Sequence, residues 1–247
     1  MDQPVAVILA AGKGTRMKSE KPKVLVEALG RPMIHWVLDA VFDAGVARAI
    51  VVVGYRAESV ESELAGRENV SFALQENQLG TGHAVMMCVD QLQGQRGPVL
   101  ILTGDSPLVQ SSSLRELLAA HADGRPACVL GTAHRDDPTG LGRIVRDDDG
   151  HFVGIVEEKD ASDAQRAVTE VNMSTYVFSA DDLLAALPLL RDNNRQQEYY
   201  ITDCPAILKS QGKAILALPV LKPCEALSVN TLDDLAAVEQ EMQRLGY

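Results

Sequence analysis

Basic residues, aromatic residues and long apolar runs are all scarce in this chain of 247 residues. Lys and Arg number 23 against 34 Asp and Glu, a net charge of −11. Such a chain lacks the basic surface that grips a phosphate backbone, so no nucleic-acid partner is expected. No apolar run approaches the roughly 18 residues that a membrane span needs, so no membrane partner is expected either. The apolar stretch Val5 to Ala11 follows Asp2 rather than a basic region and runs into Gly12-Lys13-Gly14, unlike a secretory signal. Four cysteines (Cys88, Cys128, Cys204 and Cys224) lie far apart, with neither CxxC nor Cys/His spacing. That spacing argues against zinc, and the thiols read as the reduced, mostly buried cysteines of a cytoplasmic protein. There is no internal repeat and no low-complexity linker.

Short β-branched runs alternate with longer amphipathic segments, the pattern of an α/β fold. Val5 to Leu9, Ala49 to Val53, Ser71 to Leu74 and Val99 to Leu102 are almost wholly apolar. Strands covered by helices on both faces read this way. Helical patterns fall between them, at Met33 to Ala44, Ala57 to Ala65 and Gly82 to Leu92. Ile34, Val37, Leu38 and Val41 of the first share one face. The expected architecture is a Rossmann-like, doubly wound sheet.

Past about residue 106 the rhythm changes. Strand-like runs at Cys128 to Thr132, Arg143 to Arg146, Phe152 to Glu157 and Ser174 to Phe178 carry fewer helices between them, so a mixed, partly antiparallel region is expected over about 106–225. Asp147-Asp148-Asp149-Gly150 reads as a hairpin turn rather than a metal cluster. Thr231 to Leu245 reads as a final helix, with Thr231 as N-cap and Asp233 and Asp234 in its first turn.

The segment Leu9-Ala-Ala-Gly-Lys-Gly-Thr-Arg-Met17, with Lys21-Pro-Lys23 beyond it, follows a buried strand directly. It therefore sits at the carboxyl edge of the sheet, where α/β proteins bind ligands. Gly12 and Gly14 let backbone N–H groups approach an anion, and Lys13, Arg16 and Lys23 concentrate positive charge in an acidic chain. Phosphate is the natural ligand. The loop is neither a Walker A motif, lacking GK[ST], nor the dinucleotide fingerprint, because Met17 occupies the third glycine position.

Leu9-Ala-Ala-Gly-x-Gly-Thr-Arg with Pro22-Lys23 resembles the signature of sugar-1-phosphate nucleotidyltransferases. Further blocks in family order are Gln75-x-x-Gln78-Leu-Gly-Thr-Gly-His-Ala84, Gly104-Asp105-x-Pro-Leu108, Asp137-Pro-Thr-Gly140-x-Gly-Arg-Ile144, Val156-Glu-Glu-Lys-Asp-Ala161, Glu198-Tyr-Tyr-Ile-Thr-Asp203 and Val229-Asn230. Together they span essentially the whole chain. More closely, it is similar to the uridylyltransferase domains of the bifunctional bacterial enzymes that make UDP-N-acetylglucosamine.

The resemblance implies a nucleotide-diphospho-sugar transferase fold. A nucleotidyltransferase domain would occupy 1–230, with a nucleotide part over about 1–105 and a sugar part over about 106–225. A C-terminal helix would follow at 231–247. The resembled enzymes continue into a left-handed β-helix of hexapeptide repeats with acetyltransferase activity; this sequence holds no hexapeptide repeat, so neither that domain nor that activity is expected of it. It implies Mg²⁺-dependent transfer of a uridylyl group from UTP to N-acetylglucosamine-1-phosphate, releasing pyrophosphate. By resemblance, Leu9, Ala10, Ala11, Gly12, Lys13, Gly14, Thr15, Gln75, Gln78, Gly80 and Thr81 bind the nucleotide. Arg16 and Lys23 act on the reacting phosphates, and Asp105 and Asn230 hold the metal. Gly142, Glu157, Asn172, Tyr200 and Thr202 bind the sugar. A glutamine amide offers one donor and one acceptor edge to a pyrimidine. Mg²⁺ favours oxygen ligands and few protein groups.

The chain departs from that pattern beside the sugar blocks. Leu141 stands where an aromatic is expected, Met173-Ser174 replaces Thr-Gly, Gln197 replaces a glycine, and Thr103 stands where tyrosine is common. A different sugar-1-phosphate is therefore the first alternative. The second is a non-catalytic module that binds nucleotide sugars, against which stand the intact Arg16, Lys23, Asp105 and Asn230. His83 is expected to order its loop rather than catalyse. His35, His121, His134 and His151 show no ligand spacing, and Trp36 is expected to pack from the first helix.

Overall fold

The computed structural model describes residues 3–14, 17 and 20–247. In chain order the elements are β1 (Val5–Leu9), β2 (Glu27–Ala28), β3 (Arg31–Pro32), α1 (Met33–Asp43), β4 (Arg48–Val53), α2 (Ala57–Leu64) and β5 (Val70–Leu74). There follow α3 (Thr81–Met86), α4 (Val89–Leu92), β6 (Val99–Thr103), α5 (Ser111–Gly124), β7 (Cys128–His134), β8 (Arg143–Arg146) and β9 (Phe152–Val156). Last come α6 (Asp163–Arg166), β10 (Glu170–Phe178), α7 (Ala180–Ala186), α8 (Asp203–Ser210), β11 (Ile215–Leu218) and α9 (Leu232–Leu245).

Strand order across the main sheet is β11-β7-β10-β6-β1-β4-β5, with the β8–β9 hairpin attached to β10. β1, β4, β5 and β6 pair in parallel, whereas β10 runs antiparallel to both β6 and β7. The alternation of side chains along the parallel strands decides the two cores. Val5, Val7, Ile50, Val52, Val99 and Ile101 face the side covered by α3, α4, α7 and α8. Ala6, Ile8, Ala49, Val51, Leu100 and Leu102 face the side covered by α1, α2 and α5. Strands buried on both faces have no polar side to show, which is why they read as continuous apolar runs.

The segment Gly82 to Leu92, expected as one helix, is two: α3 and α4 meet at Met87 and Cys88. There the hydrogen bonds tighten, Met87 N–H reaching both His83 and Ala84 carbonyls and Cys88 N–H the Val85 carbonyl, so the helical path breaks. The second region holds more helix than its sequence suggested, through α5, α7 and α8, and it gains the edge strand β11. β10 starts at Glu170 rather than at Ser174, which brings Asn172 into the sheet. The Asp147–Gly150 turn does join two antiparallel strands, with Gly150 at φ 80° and Asp147 Oδ1 accepting from His151 N–H. All four cysteines are free and buried.

A third, smaller core carries the C-terminal segment. Val238 and Met242 of α9 pack with Met17, Ala28, Met33, Leu108, Cys224 and Val229. Trp36 of α1 lies against this cluster and donates its indole N–H to the Ala28 carbonyl. Thr231 caps α9, its Oγ1 accepting from Asp234 N–H, while Asp234 Oδ2 accepts from both Asn230 N–H and Thr231 N–H. The helix start thereby fixes the backbone of Asn230. Among the described residues no helix is long and apolar enough to cross a membrane.

Candidate active site

Because β1, β4, β5 and β6 are parallel, their carboxyl ends open on one edge, and the loops after them converge there. They form a cleft of about 370 Å³. Leu9, Ala10, Ala11, Gly12 and Gly14 line it from the loop after β1. Gln75, Gln78, Gly80 and Thr81 line it after β5, and Asp105 after β6. Lys23 and Asn230 complete the wall. Twelve residues expected at the nucleotide, reacting-phosphate and metal sites are thus brought together. Lys13 is elsewhere, its Nζ 5.3 Å from the centroid of the Tyr55 ring. Thr15 and Arg16 lie outside the described residues.

At the cleft's charged corner, Lys23 Nζ donates to Asp105 Oδ2 and, at 2.8 Å, to Asn230 Oδ1. These residues are far apart in the chain. Val229 N–H donates to the Asp105 carbonyl at 3.3 Å, tying the approach to α9 onto the loop after β6. Gly14 fixes the third side. At φ 62° it adopts a conformation that suits glycine, and a Cβ there would lie 2.8 Å from Lys23 Cβ. The glycine loop therefore rests against the lysine stem.

The two glutamines are anchored through their amide nitrogens. Gln75, 3% exposed, has Nε2 against the Gly80 carbonyl at 3.1 Å and His83 Nδ1 at 3.0 Å, so His83 orders the loop. Gln78 Nε2 donates to the Gln75 carbonyl at 3.0 Å. Gly80 has φ 107°, and a Cβ there would come within 2.6 Å of the Tyr199 carbonyl oxygen. That close approach reflects a short ladder: Tyr199 N–H to Leu79 carbonyl, Gly82 N–H to Tyr199 carbonyl, and Ile201 N–H to Thr81 Oγ1. The ladder joins the loop after β5 to the segment bearing Tyr200 and Thr202.

Gly142, Glu157, Asn172 and Thr202 gather in a second cluster. A Cβ on Gly142 would lie 3.5 Å from both Asn172 Cβ and Glu157 Oε1, and Asn172 N–H donates to the Gly142 carbonyl at 2.8 Å. Burial pushes the Glu157 carboxyl above its ordinary value. The Thr202 hydroxyl opposes that shift, and Asp203, Asp160 and Glu198 reinforce it. Tyr200 is 7% exposed, and its hydroxyl accepts from Gln196 Nε2.

Sequence reasoning gave no role to several residues at these sites. Glu198, Thr103 and Val24 line the cleft, the first lying within a quoted motif. Gly54, where a Cβ would meet Gln78 Nε2 at 2.8 Å, lies after β4 with no motif to mark it. Arg143, 1% exposed, pairs with Glu158 and donates to the Leu141 carbonyl, tying together the segments that flank the β8–β9 hairpin. It lies within a quoted motif, but no role was given to it there.

Metal ligation can be tested on the donor set. No group of three or more His, Cys, Asp or Glu that could hold a metal occurs among the described residues. What the cleft offers is one carboxylate and one amide oxygen converging on a single ammonium. Two hard oxygen donors with room for water suit Mg²⁺ and do not suit zinc or copper.

The profile of the MobA-like NTP transferase domain matches residues 6–200. Bifunctional protein GlmU of Pelotomaculum thermopropionicum is 45% identical over 239 residues, 97% of this chain and 52% of that protein. The GlmU proteins of Thermoanaerobacter pseudethanolicus and Caldanaerobacter subterraneus are 45% and 46% identical, over 100% and 99% of this chain and 53% and 52% of their own lengths. The chain spans about half the length of the curated relatives it matches. Among solved structures, a putative glucose-1-phosphate thymidylyltransferase from Bacillus anthracis superposes with a TM-score of 0.81 at 15% identity, covering 99% of this chain and 97% of that one. At that identity the likeness speaks for the fold.

Proposed function

Since the chain belongs to the MobA-like NTP transferase domain family and is a nucleotidyltransferase, we propose that it transfers a uridylyl group from UTP to N-acetylglucosamine-1-phosphate, in the cytoplasm. A phosphate oxygen of the sugar phosphate bonds to the α-phosphorus of UTP. The bond from that phosphorus to the bridging oxygen of the β-phosphate breaks. UDP-N-acetylglucosamine and pyrophosphate result. The single observation that carries this reading is the Lys23 ammonium at the corner of the cleft, shared between Asp105 and Asn230.

In such a displacement the protein's part is positioning and charge stabilisation. The backbone around Gly12 and Gly14 cradles the triphosphate, and the resemblance assigns Arg16 to the leaving phosphates. Lys23, only 14% exposed, draws together two anions that repel one another, and partial burial strengthens its field. Asp105 and Asn230 would hold Mg²⁺, which supplies neutralisation of the triphosphate oxygens when bound. Gln75 and Gln78, with their amide nitrogens occupied by the protein, present carbonyl oxygens to the base, and an acceptor suits the ring N–H of uracil. Gly142, Glu157, Asn172, Tyr200 and Thr202 take the sugar.

The test is pyrophosphate release with UTP, Mg²⁺ and a panel of sugar-1-phosphates, N-acetylglucosamine-1-phosphate and glucose-1-phosphate first. Preference for the N-acetylated sugar is expected. Preference for another sugar would move the assignment to a sibling transferase, a reading favoured by Leu141, Met173 and Ser174. No release with any member of the panel would leave a binding module.

A further inference from the structure

Strand β10 carries a fault at the acceptor cluster. Asn172 pairs with Thr132 and Thr175 with the adjacent Gly131, so Met173 and Ser174 are extra to the register and bulge out. Ser174 has φ 52°, in the left-handed region that side chains other than glycine seldom adopt. A bulge re-aims the side chains beside it. Here it turns Asn172 so that its own strand grips both ends of the carboxamide. Ser174 N–H donates to Asn172 Oδ1 at 3.3 Å, and Asn172 Nδ2 donates to the Tyr176 hydroxyl at 2.7 Å.

Tyr176 is wholly buried, its ring 5.9 Å from that of Phe178. A phenylalanine would fill the same space without the cost of burying a hydroxyl. The hydroxyl instead meets the Asn172 amide, with the Ser174 side chain also interacting there and Glu157 near enough to oppose its ionisation. An asparagine amide is otherwise free to turn over and exchange donor for acceptor. Held by a backbone N–H at one end and a phenol oxygen at the other, Asn172 can show only one face.

We infer that Tyr176 and Ser174 are positioning residues of the acceptor site, which fix the Asn172 carboxamide in the one orientation that reads the sugar phosphate's hydroxyl or amide groups. The inference rests on the proposed function, in that Asn172 is taken to face the acceptor. Neither residue touches the reacting phosphates. Their effect is confined to how the sugar phosphate is bound.

Tyr176→Phe removes one oxygen and leaves the ring. We expect the KM for N-acetylglucosamine-1-phosphate to rise roughly 10-fold, the range for an orphaned buried donor, with kcat and the KM for UTP changed less than about 2-fold. Adding Asn172→Ala to Tyr176→Phe should cost less than Asn172→Ala costs alone, because the two act through one group. Ser174→Gly keeps the left-handed bulge and the N–H but removes the side-chain contact to the Tyr176 hydroxyl, so a rise in acceptor KM smaller than that of Tyr176→Phe is expected. A lower midpoint with unchanged acceptor KM, an equal rise in both KM values, or full additivity of the double variant would overturn the inference. Calorimetric titration with the sugar phosphate decides the same point without turnover. A protein that binds the sugar but does not turn over would overturn the proposed function and leave the roughly 10-fold comparison to decide this one. A protein that binds no sugar phosphate would overturn both.

Discussion

The cleft and the second cluster, proposed for the nucleotide and the acceptor, are built from different materials. On the nucleotide side, parallel strands end together and glycine backbone does much of the lining: Gly12, Gly14 and Gly80 leave no side chain in the way. On the proposed acceptor side, Gly142 apart, the groups are side chains borne by β10, the turn after β9 and the segment around Tyr200: Asn172, Glu157, Tyr200 and Thr202. Two residues there, Ser174 and Gln197, hold left-handed backbone where the resembled pattern has glycine. The backbone path is kept although the residue has changed. Backbone recognition tolerates little variation, because any added atom collides. Side-chain recognition can be retuned one group at a time, and the departures at Leu141, Met173-Ser174 and Gln197 fall there; Thr103, expected beside the sugar blocks, lines the cleft instead.

That contrast can be broken or sharpened by experiment. The largest effect should come at the charged corner of the cleft. Lys23→Ala and Asp105→Ala are expected to lower kcat by 10²–10³-fold or more, the order found when a group stabilising transition-state charge is removed, with far-ultraviolet circular dichroism unchanged. Near-normal pyrophosphate release in either would dissolve the site. Next comes a pair of matched insertions. Gly80→Ala forces a Cβ to within 2.6 Å of a backbone oxygen at φ 107°, and should cost about 1–3 kcal/mol of stability as well as UTP binding. Gly142→Ala meets its nearest atom, in the Ile155 side chain, only at 3.1 Å, so it should impair the acceptor KM with little change in melting. Equal melting losses would erase the distinction between a backbone-built side and a side-chain-built one.

A smaller effect concerns pH. Burial raises the Glu157 carboxyl in the folded protein, so the folded state holds that proton to higher pH than the unfolded chain does. Its stabilising contribution is therefore complete below the unfolded value and is lost as pH rises through the folded one. Acceptor binding runs the other way, since the ionised carboxylate is the better partner for sugar hydroxyls. The acid limb of acceptor kcat/KM should lie above the ordinary carboxylate range, and Glu157→Gln should flatten it. A limb that survives in that variant belongs to another group. The smallest effect is expected at Gln197, an exposed residue at φ 55°. Gln197→Gly should raise stability by about 1 kcal/mol, seen as a higher melting temperature, by relieving the left-handed conformation.

Much of this was legible beforehand, and the illegible part has a pattern. β1, β4, β5 and β6 could be read because strands buried on both faces must be apolar throughout. The Thr231 cap could be read because capping is a local matter between near neighbours. The helix expected over Gly82 to Leu92 broke where the i to i−4 bonds tightened at Met87 and Cys88, a change that periodicity does not register. β11 is short and only partly buried at the sheet's edge, so it carried little signal. Gly54 and Tyr176 escaped notice for one reason. Each acts through a residue far from it in sequence, or through a bulge that the sequence does not mark.

By itself the sequence determined the alternation of strand and helix, the glycine-rich loop after β1 that is proposed to bind phosphate, and the set of residues to watch. These follow from local rules: periodicity, capping, and the need for glycine where backbone meets an anion. Only the tertiary structure decided that Lys23, Asp105 and Asn230 share a corner, and that the loop after β5 is laddered to the segment of Tyr200. It alone turned Asn172 toward Tyr176. These are contacts between distant segments, and their geometry depends on how a twisted sheet aligns the ends of its strands.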